Sequence, residues 1–428
     1  MARIVLTTLG SHGDLNPFLA LALGLQTRGH EVLFAVEQNF RQAVMEAGFP
    51  VHLLPGNIDA VFAAYPRQIF GSNLPLLTAR LLIEKHVLPT AAATIEELRA
   101  ACAEADLFVS TAHQVLASTV ADLVQAPWVS IALTPATIPS TSIAPLPALG
   151  ALPGFLRPPV YRSSWAAGMA SLRPVVDTPI NRLRAHYRLP PRHNLFFGGN
   201  LSHTLTAVMI SPAFVSPPAD WPPSIRQTGF CFWDTPAAWD EPGELSLFLR
   251  EAQPVVVVSS GSMSLLLRDA FASFYQTSIS AIRQVGARAL VIGAPPGLLP
   301  ASLPEDVYAL PFAPFSQIYP RCAVAIHHGG IGTVAQTLRA GIPALVTPWG
   351  VDQFFAAAQV EQIGAGRHLS RRTYTQGRVA RALDELLQDR QYHERSQAIA
   401  DQITREDGVA TLCDALEAVL SKSELPSS

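Results

Sequence analysis

Lysine is almost missing from this chain of 428 residues: Lys85 and Lys422 are the only two, and arginine carries the rest of the positive charge. With 30 Lys+Arg against 33 Asp+Glu the formal net charge is −3, and no basic stripe exists to neutralise a phosphate backbone. That excludes nucleic acid as the expected partner. Cysteine is scarce as well. Cys102, Cys231, Cys322 and Cys413 stand too far apart for any metal-ligand spacing and read as small buried hydrophobes of a reducing cytoplasm. No stretch approaches the ~20 apolar residues of a membrane span, and the apolar run in MARIVLTTLG is too short for a signal peptide. A soluble, cytoplasmic chain is expected. The arginine bias, with abundant Ala, Leu and Pro, fits a GC-rich bacterial genome.

What is present is apolar and periodic. Hydrophobic residues make up 49% of the chain, and the length favours two domains of roughly 150–220 residues each. Residues 3–9 (RIVLTTL), a helix-period segment ending at Gly29 and the run 31–36 (EVLFAV) form a βαβ unit, so the sheet should be parallel. Further strands are expected at 51–54, 107–110, 128–133 and 206–210. The apolar, proline-interrupted stretch 131–160 reads as a long loop or lid. After another Pro-rich stretch the pattern restarts, with strands at 254–262, 288–293, 307–311, 323–328 and 343–348. Uninterrupted valine runs such as 254–258 fit strands covered on both faces. The reading is α/β: two Rossmann-like, doubly wound parallel-sheet domains facing a cleft, with ligands at the carboxyl ends of the strands. The N-terminal domain is placed at 1–215, a Pro-rich linker at 216–243 and the C-terminal domain at 244–400. Residues 401–428 form a C-terminal helix able to pack back on the first domain.

Each half has a loop crest that carries chemistry. In the second half AVAIHHGGIGTVAQ (323–336) passes from strand to helix through Gly329, Gly330 and Gly332. Glycines let backbone approach a ligand, and the following helix offers free N–H groups and the positive end of its dipole. That suits an anion, most simply a diphosphate, with His327 and Thr333 adding donors; His328 reads as structural. Ser259-Ser260-Gly261-Ser262 ends another strand of the same domain. PWGVDQ (348–353) brings Asp352 and Gln353, suited to sugar hydroxyls, although Asp352 also reads as a helix cap. In the first half the crest is GSHGDLNP (10–17). His12 or Asp14 could accept a proton from an attacking hydroxyl; the plainer role for Asp14 is a helix cap.

Taken together, GSHGD-N-P near the start with HHGG-I-GT and P-W-G-V-DQ near the end resembles the nucleotide-sugar-dependent GT-B glycosyltransferases. More narrowly, the chain is similar to the UDP-glycosyltransferase (glycosyltransferase family 1) type that includes sterol, macrolide and glycopeptide-antibiotic enzymes. It looks most like the rhamnosyltransferase catalytic chains of rhamnolipid synthesis. The resemblance implies an inverting, metal-independent transfer of a hexosyl group, such as rhamnose or glucose, from a TDP- or UDP-sugar to a hydroxyl of a hydrophobic acceptor. It needs no cofactor beyond the donor as cosubstrate. It puts Asp14 at the general-base position and His327 on the donor diphosphate, with Gly330, Gly332 and Thr333 as the cradle. Ser262 falls on the hydroxyl that reaches the β-phosphate, Phe312 and Ala313 on the base-stacking segment, and Asp352 and Gln353 on the transferred sugar. No D-x-D triplet occurs, which agrees on metal.

Two departures bear on the mechanism. The acid that orients a catalytic histidine in plant members is absent from LFVSTAHQ (107–114), where His113 remains as a candidate for the base or for acceptor binding. Ala335, eight residues after His327, replaces the glutamate that binds both ribose hydroxyls in UDP-sugar members, which favours TDP-sugars. Apolar residues such as Phe155 suggest a lipid or aromatic acceptor, and a lipid acceptor would allow peripheral membrane contact. An exposed Asp with a pKa near 4 is a weak base at neutral pH, so late proton removal is expected. A competing reading takes Gly330-x-Gly332-x-x-Ala335, with Asp352 twenty residues after Gly332, as the dinucleotide fingerprint of an NAD-dependent oxidoreductase. A nucleotide-sugar epimerase or hydrolase on the same fold is the other alternative.

Overall fold

A computed structural model describes residues 1–70, 75–234, 239–261, 268–300, 302–350 and 352–423. The chain divides into two units, Met1–Trp233 together with Asp407 onward, and Asp234–Glu406.

Unit 1 is built on seven strands: β1 (Arg3–Thr7), β2 (Glu31–Val36), β3 (Val51–Leu53), β4 (Leu107–Thr111), β5 (Trp128–Ala132), β6 (Leu205–Val208) and β7 (Ile225–Gln227). They pair in the order β3-β2-β1-β4-β5-β6-β7, all parallel. β4 and β5 are buried along their whole length, as expected for strands covered by helices on both faces. The strand order reverses between β1 and β4, where Thr7 lies opposite Ser110. At such a switch point the loops after the two strands diverge and leave room for a ligand. Here those loops carry Gly10–Asp14 and Ala112–Gln114.

Unit 2 has six parallel strands: β8 (Val255–Ser259), β9 (Arg288–Ile292), β10 (Val307–Leu310), β11 (Val324–His327), β12 (Ala344–Val346) and β13 (Gly366–His368). The order is β10-β9-β8-β11-β12-β13, with His327 opposite Ser259 across β11 and β8. Its switch point lies between β8 and β11. The Ser259–Gly261 turn and the His328–Gly332 turn therefore rise side by side.

The division differs from the expected 216–243 linker. Residues Ile225–Gln227 add the last strand to the first sheet, so unit 1 runs on to Trp233. A three-residue strand that follows a Pro-Pro pair has too little periodicity to register in sequence. Beyond the second unit the helix Gly408–Ser423 lies on the helix His12–Thr27. Leu412, Leu416 and Leu420 join Leu15, Phe18 and Leu25 in one core, and Arg28 binds Asp414 (2.6 Å) and Glu417 (2.8 Å). The approach is close enough that a Cβ at Gly24 would stand 2.5 Å from Val409 Cγ1. The stretch 131–160 holds short 3-10 turns at Pro135–Thr137, Pro147–Ala151 and Gly154–Leu156 before the helix Arg157–Leu172. Among the described residues no helix is long and apolar enough to cross a membrane.

Candidate functional site

In unit 2 the helix Ile331–Arg339 starts directly after the glycine turn, with Gly330 as its N-cap. Glycine has no side chain to cap with, so the amides of Ile331, Gly332 and Thr333 lack the usual capping acceptor. A Cβ at Gly332 would meet nothing within 4 Å, which leaves this face of the turn open. The expectation put His327 on the anion and gave His328 a structural place. In the structure it is the ring of His328 that lies against both glycine turns. A Cβ on Gly261 would come within 2.5 Å of His328 Cε1, and one on Gly330 within 2.5 Å of its Nε2. His328 is 6% exposed and its Nδ1 is buried without a hydrogen-bond partner among the described residues. Burial pushes its pKa down to about 4, so at neutral pH the ring is an uncharged donor-acceptor.

His327, the last residue of β11, is fully buried. Its Nδ1 accepts the Gly329 N–H (3.1 Å), which places the proton on Nε2, and that nitrogen has no partner among the described residues. Burial, and secondarily His328, push its pKa down to about 3. Successive residues at a strand end point to opposite faces, so only one of the two imidazoles can lie against the Gly261 turn. Thr333 is buried in the first turn of the helix. Ser262 lies outside the described residues. Phe312, just past β10, keeps 56% of its surface exposed, whereas Ala313, also expected on the base-stacking segment, is packed in the unit's core.

The PWGVDQ turn is held from below. Trp349 stacks on Phe271 with ring centroids 4.1 Å apart, and the Arg371 guanidinium lies 5.0 Å from the Trp349 ring. Gln353 is buried, and its Oε1 accepts the N–H groups of Trp349 (2.8 Å) and Gly350 (3.2 Å). Its carbonyl thus shapes the turn. Asp352 occupies the N-cap of the helix Gln353–Gln362 without a side-chain capping bond. The expected capping role is therefore positional only.

In unit 1 Asp14 does serve as a cap. Its Oδ2 accepts from the Ser11 N–H (2.7 Å) and Ser11 Oγ (3.1 Å), and Ser11 Oγ in turn accepts the Gly13 N–H (3.3 Å). This capping box fixes the carboxylate at the start of the helix His12–Thr27. Gly10 makes room for it. Its φ is +123°, and a Cβ there would fall 2.4 Å from Asp14 Oδ2. Desolvation raises the Asp14 pKa above the ordinary value; the nearby His113 and the Ser11 bonds only partly offset that. Desolvation likewise lowers the His113 pKa, with Asp14 opposing. The expected weakly basic, exposed carboxylate is thus a partly desolvated and stronger base. His12 is exposed, with its ring edge-on to Phe40 at 6.3 Å. Phe155 stands 80% exposed on the Gly154–Leu156 turn.

Sequence reasoning passed over Asn200, which is fully buried. Its Nδ2 donates to the carbonyls of Ala112 (3.1 Å) and Gln114 (2.8 Å), and its Oδ1 accepts the Ser118 N–H (3.1 Å). It clamps the carbonyls of both residues that flank His113. No local signal in FFGGN marks this, because the partners lie more than 80 residues away. Replacing Asn200 by Ala strands two carbonyls and an amide in the core. Stability should fall by about 2–4 kcal/mol, read by urea denaturation.

Two family models match the chain. Residues 4–122 fit the glycosyltransferase family 28 N-terminal domain, and residues 288–419 the erythromycin biosynthesis protein CIII-like C-terminal domain. The chain is 29% identical to an O-mycaminosyltylonolide 6-deoxyallosyltransferase of Streptomyces fradiae, covering 97% of each. It is 29% identical to the sterol 3-beta-glucosyltransferase UGT80B1 of Arabidopsis thaliana over 85% of this chain, which spans 59% of that protein. A solved spinosyn rhamnosyltransferase, SpnG, complexed with thymidine diphosphate, superposes with a TM-score of 0.70 at 20% identity, covering 97% of this chain and 100% of that one. The likeness to the solved structure shows a shared fold.

Proposed function

We propose that this chain, a GT-B glycosyltransferase of the UDP-glycosyltransferase type, moves a hexosyl group from a TDP- or UDP-sugar to a hydroxyl of a hydrophobic natural product or lipid, with inversion and without metal. The observation that carries the reading is the anion cradle of unit 2. It comprises uncapped first-turn amides after Gly330 and a buried imidazole, His328, whose Nε2 edge lies against Gly330 and whose Nδ1 has no hydrogen-bond partner among the described residues. A diphosphate supplies the acceptors those groups lack.

The acceptor hydroxyl gives its proton to Asp14 as its oxygen attacks the anomeric carbon from the face opposite the diphosphate. The bond between that carbon and the phosphate oxygen breaks. The nucleoside diphosphate leaves with the bonding pair, its charge met by the helix amides and His328. Asp352 and the Gln353 amide hold the sugar, and Phe312 stacks on the base. Relatives named for 6-deoxyallosyl transfer to O-mycaminosyltylonolide and for sterol glucosylation support a hydrophobic acceptor. The TDP complex of a structural neighbour supports a TDP-linked donor. In the competing oxidoreductase reading Asp352 would accept from a ribose.

Thermal unfolding with TDP, UDP, GDP and NAD tests the reading. TDP or UDP should stabilise the chain, and NAD should not; stabilisation by NAD alone would sink the proposal. Replacing His328 by Ala should weaken TDP binding by roughly tenfold or more, the worth of a buried hydrogen bond to a charged group.

A further inference from the structure

Between Asp122 and Asp177 the chain contains no acidic residue; Arg157, Arg162 and Arg173 are its only full charges there. This acid-free stretch carries the most exposed internal aromatic side chain among the described residues. Phe155 is 80% exposed, beside Leu156 (38%), and Leu146 (45%) stands on the neighbouring turn. Residues 153–159 are exposed without a break. Such a knob is costly in water unless something covers it.

The knob is held rigidly. Arg157 Nε donates to the Leu152 carbonyl (2.8 Å) and its Nη2 to the Gly150 carbonyl (3.0 Å), which ties the end of the Pro147–Ala151 turn to the first turn of the helix. Tyr161 Oη donates to the Leu149 carbonyl (3.3 Å), and Trp165 Nε1 to Ser140 (3.0 Å). Prolines at 145, 153, 158 and 159 limit the backbone further. Because Arg157 spends its hydrogen bonds on carbonyls, its charge is not cancelled, and Arg162 is exposed one turn on. The acid at the root of the loop, Asp220, accepts from Ser140 Oγ (2.8 Å), Thr141 N (2.6 Å) and Thr141 Oγ1 (2.8 Å).

We propose that this turn, Phe155 and Leu156 flanked by Arg157 and Arg162, docks unit 1 on an anionic lipid surface. Three apolar side chains are too few for a stable protein interface, which needs about 800 Å² per partner. They suffice for interfacial insertion, where a few aromatic and aliphatic groups act together with arginines drawn to the surface charge. The inference goes beyond the proposed transfer reaction and does not depend on which donor is used.

Co-sedimentation of the full chain tests it, with phosphatidylglycerol/phosphatidylcholine vesicles against phosphatidylcholine alone, in low and high salt. Wild type should pellet with the anionic vesicles, less in high salt. Phe155→Ser should lower partitioning roughly tenfold, and Arg162→Glu about fivefold or more. Both variants should unfold at the wild-type temperature, since neither side chain is buried. No binding to anionic vesicles, or equal binding by the variants, overturns the proposal. So does a dimer in sedimentation equilibrium that Phe155→Ser dissociates, because the knob would then cover a second copy. Stabilisation by TDP on the same preparations reports the donor site separately, so either result can fail alone.

Discussion

Replacing Asp14 by Asn lowers kcat for sugar transfer by about 100- to 10,000-fold, the usual worth of a positioned general base, and leaves TDP binding unchanged. The substitution isolates chemistry from structure. Asparagine keeps an oxygen that can accept from Ser11 N and Ser11 Oγ, so the capping box and the helix start survive. What is lost is the second lone-pair-rich oxygen and the ability to take a proton. The proposed donor cradle is the Gly330 turn of the other unit, so donor binding should not respond. Near-wild-type turnover in the Asn variant would remove Asp14 from the mechanism.

The same carboxylate sets a pH signature. Its pKa is raised by desolvation, so the acid limb of kcat/KM lies above that of an ordinary aspartate. Below that pKa the base is protonated and activity falls. His113 opposes the shift, so His113→Gln should move the limb to still higher pH. A limb that stays in place would show that the two groups do not interact during turnover.

The second large effect is on stability. His327 and His328 are held neutral, with pKa values of about 3 and about 4, while an unfolded histidine titrates near 6.5. The unfolded chain therefore binds protons that the folded chain refuses. Stability present above about pH 6.5 is lost as pH falls toward the folded values. At pH 5 each histidine should cost on the order of 2 kcal/mol, about 4 kcal/mol for the pair. His113 adds in the same direction, and Asp14, with its raised pKa, runs the other way. Urea midpoints between pH 7 and pH 5 measure the slope. Substituting Gln at either position should remove its share. Saturating TDP should flatten the part due to His328, because a bound diphosphate favours the protonated ring. A slope untouched by both substitutions would place the acid sensitivity elsewhere.

How far the chain could be read without coordinates differs between its parts. The unbroken valine and β-branched runs mark β8, β9 and β11 as strands buried on both faces; β9 and β11 lie within a residue of where they were expected, and β8 stops three residues before the expected 262. The switch between helical and strand periods marks the parallel alternation, and hence the two doubly wound sheets. Glycine turns after β1 and β11 are legible because only glycine meets the backbone demand there: Gly10 at φ +123° and Gly329 at φ +90°. Strand β7 was not legible, since three residues carry no periodicity.

What local pattern determined is therefore the alternation of strands and helices, the glycine crests and the residue types offered at each crest. Tertiary structure alone decided which of those residues meet. A strand end points two adjacent histidines to opposite faces, and only the neighbouring β8 turn, 67 residues away in sequence, shows that His328 is the one against Gly261. Likewise Asn200 acts on the His113 loop, and His113 on Asp14, through contacts that exist only once β1 and β4 lie side by side. Periodicity acts over a few residues, whereas burial, desolvation and hydrogen-bond partners are set by segments the chain brings from far away.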